Sequence, residues 1–394
     1  MIGDGWTDSK DELARDRRPT PDAPRRVAIV TGTRAEFGLL KPVMEAVRDR
    51  PELELLVVAA GAHLIQPAET FREIKKHFEV ADSVPMQTVG RTGRWADVEA
   101  LGKGVARFGR SFERLAPEWV VVLGDRIEAF AAASAASVGG IAVCHIHGGD
   151  RAEGVADEAM RHAITKLAHL HLAASEQSAE RIRRMGERPE HVRVIGSPAI
   201  DALDRVEPLD DESFEALGAP ELVLLTHPIG RTEEAEEHAT SLALESLGGA
   251  PTLALHPNHD PGREGVLRAL LGAGGNVTLV KHLDRSRFVG LLKRIGASGG
   301  ALVGNSSAGL IEAGALGCPA VNIGVRQSGR EHGDNVVHAP ESVGAIREAL
   351  EKARSLRAPF TRPFGEGGAG VRAASALVEI NPLDPGMVRK HCAY

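Results

Sequence analysis

Arg26–Val47 reads RVAIVTGTRAEFGLLKPVMEAV, an apolar run, a glycine-bearing loop and then apolar residues at helical spacing. Arg26–Thr31 predicts a buried strand, and Leu39, Leu40, Val43, Met44 and Val47 fall on one face of a helix. Strand, loop and helix in this order build parallel α/β sheets, and the loop lies where such sheets bind phosphates. Its glycines exclude both standard nucleotide loops. Gly32 and Gly38 are separated by five residues with no Lys-Ser/Thr after them, which is not a P-loop, and GxGxxG is absent as well. What remains is a helix N-terminus offering backbone N–H groups to an anion, with Arg34 as a planar, permanently charged donor suited to phosphate. The competing reading is a surface pair of Arg34 with Glu36.

The same alternation continues on either side of the loop. Leu53–Ala60, Trp119–Leu123, Ile141–His145, Leu170–Ala174 and Val192–Ile195 read as strands, with helices predicted at Ile127–Val138 and Glu176–Met185. Continuous apolar strands alternating with helices imply a parallel sheet covered on both faces. The pattern lapses over Asp201–Pro220, acidic and proline-bearing, then resumes at Leu222–Thr226, Thr252–His256, Val277–Lys281, Ala301–Val303 and Ala320–Ile323. The expected organisation is a disordered extension over 1–25, a Rossmann-like domain over 26–200 and a linker over 201–220. A second Rossmann-like domain follows over 221–365. Residues 366–394 form a C-terminal helix (Gly370–Ile380) and tail that packs back on the first domain. The fold class is thus α/β, two doubly wound domains facing a cleft.

Composition narrows the function. The 394 residues suit two domains of roughly 150–200 residues. A net charge of −7 argues against a nucleic-acid surface, though a few local Arg residues still suffice for a small phosphorylated molecule. Cys144, Cys318 and Cys392 show no paired spacing, which points to a reducing, cytoplasmic setting without structural disulfides. No apolar window approaches 18 residues, so no membrane span is expected.

In doubly wound sheets ligands sit beyond the carboxyl ends of the strands. Polar residues gather at those ends in both halves: Arg34, His63, Asp125-Arg126, His145 to Asp150, His227, Asn258, His282 and the stretch Gly304 to Ser307. In VVLGDRIEAF, Asp125 ends a buried strand, where partial desolvation suits a carboxylate to acid/base work; capping the next helix or pairing with Arg126 is the alternative. CHIHGGDRAEGVADEAMRHAITKLAHLH concentrates His145, His147, Asp150, Glu153, Asp157, Glu158, Arg161 and His162 in a loop and the helix after it. Asp157 and Arg161 are spaced for a helix ion pair, as are Glu158 and His162. His145 and His147 have no third ligand at a compact spacing, so no metal is expected. In GNSSAGLIEAGALGCPAVNIG, Ser306 and Ser307 offer hydroxyl and backbone donors to a diphosphate, and Glu312 an acceptor for ribose hydroxyls; simple helix capping is the alternative. His227, in LLTHPIG, is placed to reach a phosphate or leaving group across the cleft; a buried, satisfied histidine is the alternative.

Taken in order, TGTRAEFGLLKPVM, GAHL, GDRIEAF, HGGD with DEAMRHAITKLAHLH, THP, HPNHDPG, GNSSAGLIEAGALGCPAVNIGVRQSGRE and GDNVVH resemble the hydrolysing UDP-N-acetylglucosamine 2-epimerases, in the branch feeding sialic-acid-type sugars. The resemblance spans about Arg26 to His338. It implies a fold of the glycosyltransferase-B type and elimination of UDP to a glycal, followed by water addition giving N-acetylmannosamine. Arg34, Asn258, Ser306, Ser307, Glu312 and Arg326 then hold UDP, with His63, Arg126, Arg161 and His282 as further substrate-binding candidates. Asp125, Asp157 and His227 match the family's catalytic positions. One departure stands out: many members carry a catalytic Glu where this chain has His147. Either His147 itself or Asp150 then supplies the acid, or the sugar is modified, such as a 2,4-diacetamido-6-deoxy hexosamine. The resemblance also implies a homodimer and no cofactor. Two other readings stay open, a glycosyltransferase of the same fold and a nucleotide-sugar-binding protein without catalysis.

Overall fold

The computed structural model describes residues 23–65, 69–91, 93–151, 158–258 and 260–391. Most of the expected N-terminal extension, Glu153, Asp157 and Cys392 lie outside the described residues.

Seven strands form the first sheet: β1 (Arg25–Thr31), β2 (Leu53–Ala60), β3 (Val80–Val84), β4 (Trp119–Leu123), β5 (Ala142–Ile146), β6 (Leu170–Ala173) and β7 (Val192–Val194). Their order is β3-β2-β1-β4-β5-β6-β7, and every pair is parallel. Six strands form the second: β8 (Leu222–Leu225), β9 (Thr252–Leu255), β10 (Val277–Val280), β11 (Ala301–Gly304), β12 (Ala320–Ile323) and β13 (Val336–Ala339). Here the order is β10-β9-β8-β11-β12-β13, again parallel throughout. The two domains repeat one topology. In each, the order reverses beside the first strand, between β1 and β4 and between β8 and β11. Crevices open at such points, and the loops after these four strands carry Arg34, Asp125, His227 and Ser306.

The continuous apolar runs of β1, β4 and β5 are explained by burial on both faces. Val27 and Ile29 pack with Phe37, Leu40 and Trp119 on one side of the sheet. Ala28 and Val30 pack with Phe108, Phe112 and the Ala-rich helix Ile127–Val138 on the other. Of the four edge strands, β3 and β13 escape the apolar pattern; VADSV and VVHA are only partly buried.

The C-terminal helix Ala369–Glu379 lies on helix Arg34–Arg48 of the first domain. A Cβ on Gly370 would stand 2.5 Å from the carbonyl oxygen of Pro42, so only glycine permits this approach. Asp201 accepts from Ala369 N (2.8 Å) and Gly370 N (2.7 Å), while Arg25 Nη1 donates to the carbonyls of Val378 (2.9 Å) and Ile380 (3.0 Å). The stretch 201–220 is more than a spacer: Leu203 and Leu217 are buried in the core of the second domain.

Candidate functional site

The opening loop is set by its cap. Thr33 begins helix Arg34–Arg48 in a capping box, and the Glu36 carboxylate accepts from Gly32 N (2.9 Å) and Thr33 N (2.8 Å). Glu36 is therefore no surface partner of Arg34. Burial, then the nearby Glu128, pushes the Glu36 carboxyl up to about 8. Arg34 stays exposed at the helix start and donates through Nη2 to His282 Nε2 of the second domain. His63 is fully buried, with its ring nitrogens 2.9 Å from Thr31 Oγ1 and 2.9 Å from Thr70 Oγ1. It supports the loop from beneath and does not face the cleft.

Asp125 pairs neither with Arg126 nor with the next helix. Its Oδ2 accepts from Arg161 Nη2, and Arg161 Nη1 donates to the His147 carbonyl at 3.2 Å. Arg161 is itself buried, so it holds Asp125 from below. The expected Asp157–Arg161 pair falls outside the described residues, whereas Glu158–His162 forms at 3.4 Å. Arg126 instead reaches across the cleft to Asp260 at 3.4 Å.

His147 and Asp150 are both buried and bound to each other. His147 has a left-handed backbone (φ +62°), which turns its ring inward. Nδ1 lies 2.7 Å from Asp150 Oδ2, and Nε2 lies 2.9 Å from Ser197 Oγ. The second Asp150 oxygen accepts from Ser178 Oγ at 2.8 Å. Burial alone would raise the Asp150 carboxyl, but the charge and hydrogen bond of His147, with Arg161 and Arg330, hold it well below the usual range. Such a group stays ionised and is a poor general acid. Serine, histidine and aspartate stand here in nucleophile-like order, yet Ser197 is buried and caps its own turn by accepting from Ala199 N. His145 is likewise spent inside, on the Gly124 carbonyl and Thr165.

The second domain offers a different arrangement. Asn305 grips the His227 backbone twice, accepting from its N–H (2.8 Å) and donating to its carbonyl (2.8 Å). His227 Nδ1 accepts from Asn258 N at 3.2 Å, so Nε2 carries the proton. Burial, and then Arg326, lower the ring to about 3, and it is neutral at working pH. Asn258 also donates to Asp260 (2.5 Å). Arg326 and Gln327 donate to the Asn305 carbonyl at 3.2 Å and 2.9 Å. Ser306 caps the short helix Ser307–Ile311, and Glu312 at its end takes a 2.7 Å ion pair from Arg285.

Further polar contacts between the domains gather at Arg330 and Glu331. Arg330 lies among Arg161, Asp150, Asp125 and Arg326, and burial first, then Arg161, lower its guanidinium. Its Nε donates to the Arg151 carbonyl at 3.3 Å, and Glu331 accepts from Ser175. Asp125 and Asp150 of the first domain thus face a guanidinium group of the second.

The sequence model of the UDP-N-acetylglucosamine 2-epimerase family matches residues 45–378. The chain belongs to this family. A UDP-N-acetylglucosamine 2-epimerase of Neisseria meningitidis is 32% identical over 348 residues, 84% of this chain and 88% of the relative. A UDP-N,N'-diacetylbacillosamine 2-epimerase (hydrolyzing) of Legionella pneumophila is 31% identical over 386 residues, 94% of this chain and 100% of the relative. Among solved structures, the N. meningitidis UDP-GlcNAc 2-epimerase bound to UDP-GlcNAc superposes with a TM-score of 0.75 at 19% identity, covering 90% of this chain and 100% of that one. The fold shared with these epimerases is the glycosyltransferase-B pairing of Rossmann-like domains.

The family block RHAITKLAHLH is largely scaffold. Arg161 holds Asp125, Thr165 meets His145, Lys166 and His171 share the buried Glu187, and His169 exchanges hydrogen bonds with Val143. Asn305, Ser197 and Arg330 were not singled out from sequence. Asn305 sits inside GNSS, and the hydroxyls beside it drew the attention; only the pairing of β8 with β11 brings it to His227.

Proposed function

We propose that the chain is a hydrolysing UDP-N-acetylglucosamine 2-epimerase, converting its substrate through a 2-acetamidoglucal to N-acetylmannosamine and UDP. The observation that carries this is that Arg330 of the second domain interacts both with Asp125, which buried Arg161 clamps, and with Arg326, which stands beside a neutral His227. The C-2 proton beside an acetamido group is not acidic, so loss of UDP must lead. As the C1–O bond breaks, the diphosphate keeps the electron pair and C-1 gains oxocarbenium-like charge. Arg34, Ser306, Ser307, Arg326 and His227 Nε2–H are the donors assigned to the leaving group, where charge develops. Asn258, Arg126, His282 and Glu312 complete the nucleotide-sugar wall. Asp125 takes the C-2 proton as the C1–C2 double bond forms, and Asp157 is kept as its partner by resemblance. Water then adds hydroxyl to C-1 and a proton to C-2 on the opposite face. His147 and Asp150 are assigned to positioning, because their hydrogen-bonding atoms are spent on each other, Ser197 and Ser178.

Incubation with UDP-N-acetylglucosamine in D2O is expected to release UDP and give N-acetylmannosamine bearing deuterium at C-2, read by NMR. UDP release without deuterium defeats the elimination step. A second reading, the same chemistry on a 2,4-diacetamido-6-deoxy sugar, is favoured by the full-length Legionella relative named for such a substrate. A panel of UDP-hexosamines assayed for UDP release separates the two.

A further inference from the structure

His332 and His338 lie in the second domain, away from Asp125 and His227 in role. His338 is on edge strand β13, directly across from Asn322 on β12, and His332 sits in the turn that leads into that strand. Their Nε2 atoms are 3.0 Å apart, and their rings meet edge to face with centroids 4.7 Å apart. A 3.0 Å spacing fits either an N–H···N hydrogen bond between neutral rings or two lone pairs meeting a cation, and choosing between them needs a reason.

The outer nitrogens supply one. His332 Nδ1 is 2.8 Å from the Gly333 carbonyl, to which it can only donate. This leaves His332 Nε2 with a lone pair. His338 Nδ1 is 3.1 Å from the Asn322 side-chain amide, whose oxygen is buried without a hydrogen-bond partner. Turning that amide over presents its oxygen to His338 Nδ1–H, a change of assignment that moves no other atom. Both rings then donate Nδ1–H to a carbonyl oxygen, which leaves a lone pair on each of two Nε2 atoms 3.0 Å apart. A carbonyl behind each ring is the arrangement that fixes metal-ligating histidines.

The turn is held in place. A Cβ on Gly333 would lie 2.3 Å from the Thr361 carbonyl, and Asp334 exchanges hydrogen bonds with Thr361 at 3.0 Å and 2.7 Å. With metal–nitrogen bonds of about 2.0–2.1 Å, donors at this spacing subtend about 90° at an ion, the cis angle of an octahedral site. Widening to a tetrahedral angle takes a few tenths of an ångström.

We propose that His332 and His338 form a binding site for one divalent transition-metal ion of the zinc or nickel class, completed by solvent. No group of three or more metal-capable side chains occurs among the described residues, so the site is a two-histidine one. The ion takes no part in the epimerisation. It ties the turn after Arg330 and Glu331, which contact the first domain, to the edge strand of the second.

The test is calorimetric titration of the full chain, stripped with EDTA, with zinc chloride and separately with nickel chloride. One ion per chain is expected. His332→Ala and His338→Ala should each weaken binding at least about tenfold, while His238→Ala, an exposed histidine elsewhere, should leave it unchanged. His338→Gln keeps a hydrogen-bonding group beside Asn322 and is expected to show the same loss in a chain of unchanged circular dichroism. Absence of binding to the parent chain, or equal binding by parent and histidine variants, overturns the proposal.

Discussion

His147 and His227 stand beyond the carboxyl ends of β5 and β8, one in each domain, yet they are held in opposite ways. His147 spends both ring nitrogens on side chains of its own domain, Asp150 and Ser197, in a backbone conformation that turns it inward. His227 is held through its backbone by Asn305 and at one ring nitrogen by Asn258, which leaves the protonated Nε2 as its chemical end. A histidine fixed at two nitrogens stores shape; one fixed by its backbone can act on a ligand. The pair teaches that a polar residue at a strand end identifies the region of a site, while its hydrogen-bond partners identify its task.

The largest expected effect sharpens the reacting side of this contrast. Asp125→Asn should retain UDP binding but lose turnover by roughly two to four orders of magnitude, the usual worth of a general base. Steady-state kinetics beside UDP titration checks it, and an active variant removes Asp125 from the proton path. The next effect addresses the structural side. His147→Ala leaves Asp150 buried without its main partner and should cost about 3–5 kcal/mol of stability, read by denaturant unfolding. His227→Ala should lose activity with a much smaller stability change. If His147→Ala instead unfolds like the parent chain and only turnover falls, the two histidines are not different in kind. The smallest effect concerns the opening loop. Arg34→Ala should weaken UDP binding by about 1–3 kcal/mol, and an unchanged affinity returns Arg34 to a mere interdomain contact with His282.

Much of the fold was legible because buried parallel strands are continuous apolar runs. Trp119–Leu123 and Ile127–Val138 were readable to the residue, as were Leu53–Ala60 and Ala320–Ile323. What escaped were the partly exposed edge strands β3 and β13 and the 22-residue helix Arg94–Leu115, whose polar surface and internal glycines mask its period. The site was legible as a set of strand ends. Its internal wiring was not: that Arg161 serves Asp125, that His63 supports a loop from beneath, and that Asn305 organises His227 depend on contacts between residues far apart in the chain.

The sequence by itself determined two parallel α/β units, the loops that face the cleft and the chemical types present there, because apolar period, glycine punctuation and strand-end polarity are local properties. Only the tertiary structure decided that Asp125 stays partly exposed on Arg161 while Asp150 is closed in by His147 and Ser178. That difference rests on burial and on who donates to whom, and strand order brings those partners together across tens or hundreds of residues.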